Sequence, residues 1–344
     1  MNKKVIILIS SFIIIFCLTL IYILKNHELP DNNKTSVINS ILKEEIDKKV
    51  NIKISALGDC TIGSDDNFGY KNSFYEVYDN NDSKYFFSNV VDIINNDDIT
   101  IANLEGTFTD SKFKREKKFN FKAPKHYVDI LKNGSIELVN VANNHTYDYN
   151  QSGFEDTLTT LTNASVNYAG YNAYYIYEKD DINIGFAGLA CFEDRSCTRL
   201  IDEAIGNLKE KNVNIIIMSF HWGIESNYKQ SAIQTYLAHY AIDKGVELVL
   251  GHHPHVLQGI ELYKDKYIVY SLGNFVFGGN QNPRDKDSMI FQIEYEFINN
   301  VLNDTNINIY PVSISSQNNI NDYKPTLLTD SEYDRVIKKY KKIV

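Results

Sequence analysis

Short, almost uninterrupted apolar runs alternate with amphipathic stretches from Asn51 onward, and no other feature restricts the fold of this chain as much. The runs Ile52–Leu57, Ile99–Asn103, Ile136–Val141, Ile182–Leu189, Val213–Phe220, Val246–Leu250 and Tyr267–Leu272 are rich in β-branched residues. They lack the polar alternation of a half-solvated strand, and strands buried on both faces read this way. Helical patterns lie between them, over Tyr85–Asn95, Gly153–Leu161, Thr198–Lys211 and Ser231–Lys244. Strand–helix alternation of this kind predicts an α/β domain whose sheets are covered by helices. Met289–Phe297 and Asn306–Ile314 alternate like strands without a helix between them, so an added antiparallel portion is expected there.

Val5 to Leu24 is apolar and uncharged, between Lys3-Lys4 and Lys25. About 20 such residues span a bilayer as a helix. The Lys-Asn-His-Glu-Leu-Pro that follows has no small-x-small cleavage site, which favours an uncleaved anchor over the alternative, a cleaved signal peptide. The expected organisation is a cytoplasmic end (1–4), a transmembrane anchor (5–24), a stalk (25–50), the α/β domain (51–318) and a polar, then basic tail (319–344). The flanking lysines favour a single-pass protein of the cell membrane with its domain outside.

A net charge of -9 without a basic stripe excludes a nucleic-acid partner. The short stretch Lys112-Phe113-Lys114-Arg115-Glu116-Lys117-Lys118 reads as a solvated loop, or as a contact for an anionic substrate. Cys17 lies in the anchor, leaving Cys60, Cys191 and Cys197, which imply no even disulfide framework. A Cys191–Cys197 bridge is geometrically conceivable. Cys60 follows Asp59 along a strand and so points to the opposite face, into the core rather than to a ligand.

Ligands of open α/β sheets gather beyond the carboxyl ends of the strands. At those points stand Asp59 in Ala-Leu-Gly-Asp, Glu105 in Ala-Asn-Leu-Glu-Gly, Asn143-Asn144-His145, and His221 in Ser-Phe-His-Trp-Gly. Gly251-His252-His253-Pro254-His255 adds three of the chain's 8 histidines within four positions. Each has a plainer reading as a turn, a cap or a core imidazole; their coincidence at one edge does not. Carboxylate, amide and imidazole donors without thiolate suit Mn, Zn, Fe or Co at five- or six-coordinate sites. A carboxylate shared between two such ions would make a dinuclear centre suited to phosphoryl transfer. No Ser or Cys triad, phosphate-binding loop or dinucleotide fingerprint is present.

The order of these motifs resembles the CapA family of poly-γ-glutamate capsule biosynthesis proteins. The matching segments are Gly58-Asp59, Asn103-Leu104-Glu105, Ala142-Asn143-Asn144-His145 with Asp148, His221-Trp222-Gly223 with Glu225, His253-Pro254-His255-Val256 with Gln258, and Ser271-Leu272-Gly273-Asn274-Phe275 with Phe277. They run from residue 52 to about 280. The resemblance implies a four-layer α/β/β/α sandwich related to the calcineurin-like metallophosphoesterases, with one or two divalent ions. It implies Asp59 and His255 on one ion, Glu105 as the bridge, and Asn144, His221 and His253 on the second. His145 would polarise or protonate a leaving group, oriented by Asp148. His252 is left out. Metallophosphoesterases usually carry histidine at the position of Thr61, and aspartate at that of Glu105, so the first ion has one ligand fewer here. Glu225 and Gln258 are substrate contacts or loop hydrogen bonds.

Three functions follow. One is an anchored component of poly-γ-glutamate synthesis or export, handling an anionic polymer beside a membrane-bound polymer synthase. Another is a metal-dependent phosphatase or phosphodiesterase acting on an envelope phosphoester. The third is a non-catalytic binding protein with a vestigial metal site.

Overall fold

The computed structural model describes residues 48–192 and 194–341. The expected anchor over residues 5–24, and all but the end of the expected stalk, lie outside these. No described helix is long and apolar enough to cross a membrane. The chain falls into two units, residues 1–50 with 297–301 and residues 51–296 with 302–344. In the first, the Asn299 amide donates to the Lys48 carbonyl at 2.9 Å. Everything below concerns the second.

Eight strands position the site: β1 (Lys49–Thr61), β2 (Ile99–Leu104), β3 (Leu138–Asn140), β4 (Ile182–Cys191), β5 (Ile215–Trp222), β6 (Leu248–His252), β7 (Lys266–Val269) and β8 (Asn274–Phe277). One sheet runs Thr326–Leu327, Val301–Ser313, Asp287–Ile298, β1, β2, β3, Asn167–Ala169, with β8 pairing alongside β1. The other runs Ile260–Tyr263, β7, β6, β5, β4, Tyr175–Lys179. Its inner strands β7, β6, β5 and β4 are parallel, and both edge strands are antiparallel. A small sheet of Ser64–Asp65, Phe121–Ala123 and Thr107–Phe108 lies apart from both.

The continuous apolar runs are explained by burial on both faces: every residue of β2 and β5 is buried. On one face of the second sheet, Met218, Phe220, Trp222 and Val249 pack with Ile201 and Leu208 of helix Thr198–Lys209 and Leu237 and Ala241 of helix Ala232–Asp243. On one face of the first, Ala102, Leu104, Val139 and Val141 pack with Leu161 of helix Asn150–Asn163. Residues of the opposite faces, Ile54, Ile99 and Leu138 in one sheet and Ile184, Phe186, Ile217 and Leu248 in the other, are fully buried as well. Each such side chain contributes about 1.5–3 kcal/mol. The result is an α/β sandwich. The helix at Ala232 begins where the sequence expects it because Ser231 and Gln234 form a reciprocal capping box, at 3.1 and 2.9 Å.

Two local expectations change. Tyr85–Asn95 forms successive turns with a short helix only over Val91–Ile94. Phe86 and Phe87 are both buried within these turns. Residues 319–341 fold onto the domain: Thr326–Leu327 joins the first sheet, and helix Asp330–Lys341 sends Arg335 to Asp287 in a fork of 2.8 and 2.6 Å. The Cys191–Cys197 bridge is formed. Cys60 is free and buried, and burial pushes its thiol up to about 12.

Close packing at the strand ends depends on glycine. A methyl group at Gly58 would collide with the Gly273 carbonyl, whereas one at Gly206, within helix Thr198–Lys209, would meet open space. Gly58→Ala is expected to destabilise the fold by about 1–3 kcal/mol through overpacking. Gly206→Ala is expected to stabilise it by about 0.5–1 kcal/mol through helix propensity. Denaturant midpoints of the two variants check both signs.

Candidate metal centre

Parallel pairing sets side chains in register, and here it aligns polar ones across four neighbouring strands. Asp59 on β1 pairs with Asn103 on β2 and Asn274 on β8, and Asn103 pairs with Asn140 on β3. Asn140 Nδ2 donates to Asn103 Oδ1 at 2.9 Å, and Asn103 Nδ2 donates to Asp59 Oδ1 at 2.8 Å. Asp59 is fully buried, and the His253 amide donates to its Oδ2 at 3.2 Å. His255 Nδ1 lies 3.2 Å from the same oxygen and 2.9 Å from Asn274 Oδ1. Burial works against the charged form of Asp59. The hydrogen bond and charge of His255, helped by His252 and Asn103, outweigh it and hold the carboxyl below the usual carboxylate range.

Glu105, just past β2, is the meeting point of the two sheets. Its Oε1 lies 3.7 Å from Nε2 of His221, 3.7 Å from Nε2 of His255 and 3.9 Å from Nε2 of His145. Among the described residues this fully buried oxygen has no hydrogen-bond partner, and neither does His253 Nδ1. Buried polar atoms without partners are costly, and a cation among them would supply what they lack. Glu105, His253 and His255 each turn one ligand atom to a common point, all within 4.8 Å of one another, and so form a cluster able to hold a metal ion. Burial, against the opposing charge of His255, pushes the Glu105 carboxyl up. Burial also opposes the charged form of His255, but the carboxylates of Glu105 and Asp59 push it up. Burial drives His253 and His252 down to about 4, and His221 well below its ordinary value.

The remaining residues named from sequence gather around this cluster. Asn144 Oδ1 lies 2.8 Å from His221 Nε2. His145 Nδ1 is 2.6 Å from Asp148 Oδ2, an oxygen that also accepts the Phe121 amide at 2.7 Å. Burial lowers His145, against the Asp148 hydrogen bond. Thr61 Oγ1 approaches Glu105 Oε2 at 3.5 Å. Gln258 is a loop-bonding residue, accepting from Gln234 Nε2 at 2.8 Å and donating to the Asn227 carbonyl at 2.7 Å. Glu225 is exposed. Phe192 sets its ring 5.7 Å from His221 and 5.1 Å from His253, and Phe277 lies 5.1 Å from His255.

Sequence reasoning missed three contributors. His252 is buried with Nδ1 3.6 Å from Asp59 Oδ1. Asn103 holds both Asp59 and His221, with Nδ2 3.2 Å from His221 Nδ1. Its place one strand over from Asp59, at a matching strand end, was the available signal. Lys117 reaches Asp148 Oδ1 at 2.7 Å and the Asn144 carbonyl at 3.0 Å. Nothing local in the sequence indicated that contact.

The family model described as bacterial capsule synthesis protein PGA_cap matches residues 53–279. The capsule biosynthesis protein CapA of Bacillus anthracis is 30% identical over 244 residues, covering 63% of this chain and 59% of its own. The PGA biosynthesis protein CapA of Bacillus subtilis is 31% identical over 233 residues, 60% of each chain. A probable polyglutamine synthesis accessory protein of Mycobacterium tuberculosis is 26% identical over 230 residues, 56% of this chain and 60% of its own. The chain thus spans about 60% of the length of the curated relatives it matches.

A metal ion entering the cluster must displace the proton that the carboxylates hold on His255, since a ligating imidazole is deprotonated there. Calorimetric titration of the metal-free protein with Zn or Mn near neutral pH, in buffers of differing ionisation enthalpy, is expected to show release of about one to two protons per ion, from His255 and from Glu105, whose carboxyl is also pushed up. Affinity is expected to rise about tenfold or more per pH unit in the same range. Heats that do not depend on the buffer would remove His255 from the ligand set.

Proposed function

We propose that this chain, which belongs to the bacterial capsule synthesis protein PGA_cap family, acts at the outer side of the cell membrane in making or exporting poly-γ-glutamate, held there by residues 5–24. One observation carries the reading: the family match over residues 53–279 takes in every strand end that bears a site residue, from Asp59 to Asn274. The relatives named for capsule and PGA biosynthesis support it. We read the two sheets as the inner layers of a four-layer α/β/β/α sandwich, and residues 319–341 as part of that domain.

We infer that one or two divalent ions, Mn, Zn, Fe or Co, belong to the site. The donors divide into two sides that meet at Glu105, with Asp59 and His255 on one and Asn144, His221 and His253 on the other. Such an ion supplies Lewis-acid polarisation of a substrate oxygen when bound. The chain's own residues do the rest. Asp148 holds the Nδ1 proton of His145 and leaves Nε2 on the side of Glu105, where it can take or return a proton. Asn103 and Asn274 fix the orientations of Asp59 and His255. Phe192 and Phe277 shield the imidazoles, which strengthens every charge interaction inside.

A second reading, a metal-dependent phosphodiesterase acting on an envelope substrate, is favoured by the His145–Asp148 pair beside Glu105. One experiment weighs both. A strain lacking the gene is complemented with wild type, Glu105→Gln or His253→Ala, and surface poly-γ-glutamate is measured by amino-acid analysis. Wild type is expected to restore the polymer, and each variant to leave it reduced by about tenfold or more, since loss even of a residue that only supports a metal ligand costs about 10–100-fold. Full restoration by both variants would detach the metal site from the function. Failure of wild type to restore any polymer would sink the capsule reading. Metal-dependent turnover of an aryl phosphodiester by the purified chain, abolished by Asp59→Ala and His253→Ala, would then favour the second.

A further inference from the structure

In a chain of net charge -9, residues 112–122 carry six cations, Lys112, Lys114, Arg115, Lys117, Lys118 and Lys122, against the single acid Glu116. This segment is fastened to the turn that bears Asn144, His145 and Asp148. The Arg115 amide donates to the Asp148 carbonyl at 2.8 Å, and Asn150 Nδ2 donates to the Phe113 carbonyl at 3.0 Å. Lys117 Nζ lies 2.7 Å from Asp148 Oδ1 and 3.0 Å from the Asn144 carbonyl. Half of the cations are spent within the protein: Lys117 on Asp148, and Lys114 and Lys122 on Asp66 at 3.8 and 3.6 Å.

The other three behave differently. Lys112, Arg115 and Lys118 are exposed and have no carboxylate partner among the described residues. Arg115 and Lys118 instead lie over the rings of Tyr147 and Phe119, 5.2 and 5.0 Å from their centroids. The three cations fall within seven positions of sequence, and a compact anion would need only one or two of them. Cations at every third position of an irregular segment suit a ligand that presents negative charges at repeated intervals along a chain.

We propose that the 112–118 segment is the docking row for the polymer, with Lys112, Arg115 and Lys118 binding successive carboxylates of a poly-γ-glutamate strand and Lys117 anchoring the row beside His145. This assignment rests on the poly-γ-glutamate reading above. The row lets an acidic protein hold an acidic polymer, because local cations at the rim offset the repulsion of the whole chain. It also sets the bound polymer beside the turn that bears Asn144, His145 and Asp148.

The test uses the full chain in neutral detergent and end-labelled poly-γ-glutamate, followed by fluorescence anisotropy at several salt concentrations. The triple variant Lys112→Glu/Arg115→Glu/Lys118→Glu is expected to weaken binding about tenfold or more at low salt and to flatten the salt dependence. A control with the same charge change at the far end of the strands, Lys209→Glu/Lys211→Glu/Lys244→Glu, is expected to stay within about twofold of wild type. The row is overturned if the triple variant binds like wild type or if the control loses as much. It is overturned too if the chain ignores the polymer, including the case where it binds vesicles rich in anionic lipid through these cations. The capsule assay decides the biological role separately, so restored capsule with polymer binding that ignores the row would refute the row alone.

Discussion

A fully buried carboxylate, Asp59, is the constraint around which the rest of the molecule is arranged. Burying it is expensive, and the cost is offset by donors that only a parallel sheet in one register can deliver. Asn103 comes from the next strand, the His253 amide from the other sheet, and His255 is steered by Asn274. A slip of one residue between β1 and β2 would turn Asp59 to the opposite face and strand the charge. The register, the meeting of two sheets and the position of the site are therefore one fact seen at three scales.

The strand ends are legible in the sequence because polar residues closing an apolar run are costly to bury unless they meet a partner or a ligand. Asp59, Glu105, Asn144, His145, His221, His253 and His255 stand out that way, and the fold brings them together. The polar contacts between neighbours are not legible, because they depend on register. Asn103 looks like the end of a strand until β1 is laid beside it. His252 is left out of the ligand set the family resemblance implies, yet its Nδ1 lies 3.6 Å from Asp59 Oδ1. Lys117 sits in a loop whose path no periodicity describes. Tyr85–Asn95 carries a helical pattern, but the chain there runs through successive turns and becomes helical only over Val91–Ile94. The basic tail gives no hint that Arg335 finds Asp287.

The loop after β6 shows how the ligand atoms are held. His253 has a φ of 95° and His255 a φ of 58°, in the left-handed region that residues with a Cβ rarely adopt. Such conformations cost about 1–3 kcal/mol each and persist only where the surroundings enforce them. Here the His253 amide is tied to Asp59, and the His255 carbonyl accepts from Asn274 Nδ2 at 3.2 Å. Two imidazoles that would otherwise diverge from consecutive turns are thereby turned toward Glu105. The strain lies in the backbone, and the site receives donors already in place.

The pairing of β1 with the last third of the chain also sets an order of events during folding. β1 emerges early from the ribosome, yet its partners β8 and Asp287–Ile298 are among the last strands made; Gln292 reaches Ser55 across 237 positions of sequence. Long-range pairings of this kind close slowly, and their unpaired edges are exposed in the meantime. Asp59 therefore has no Asn274 beside it until more than 200 further residues have been made. A nascent chain not yet made as far as β8 would hold the first carboxylate without Asn274, so maturation of the centre waits for the synthesis of β8.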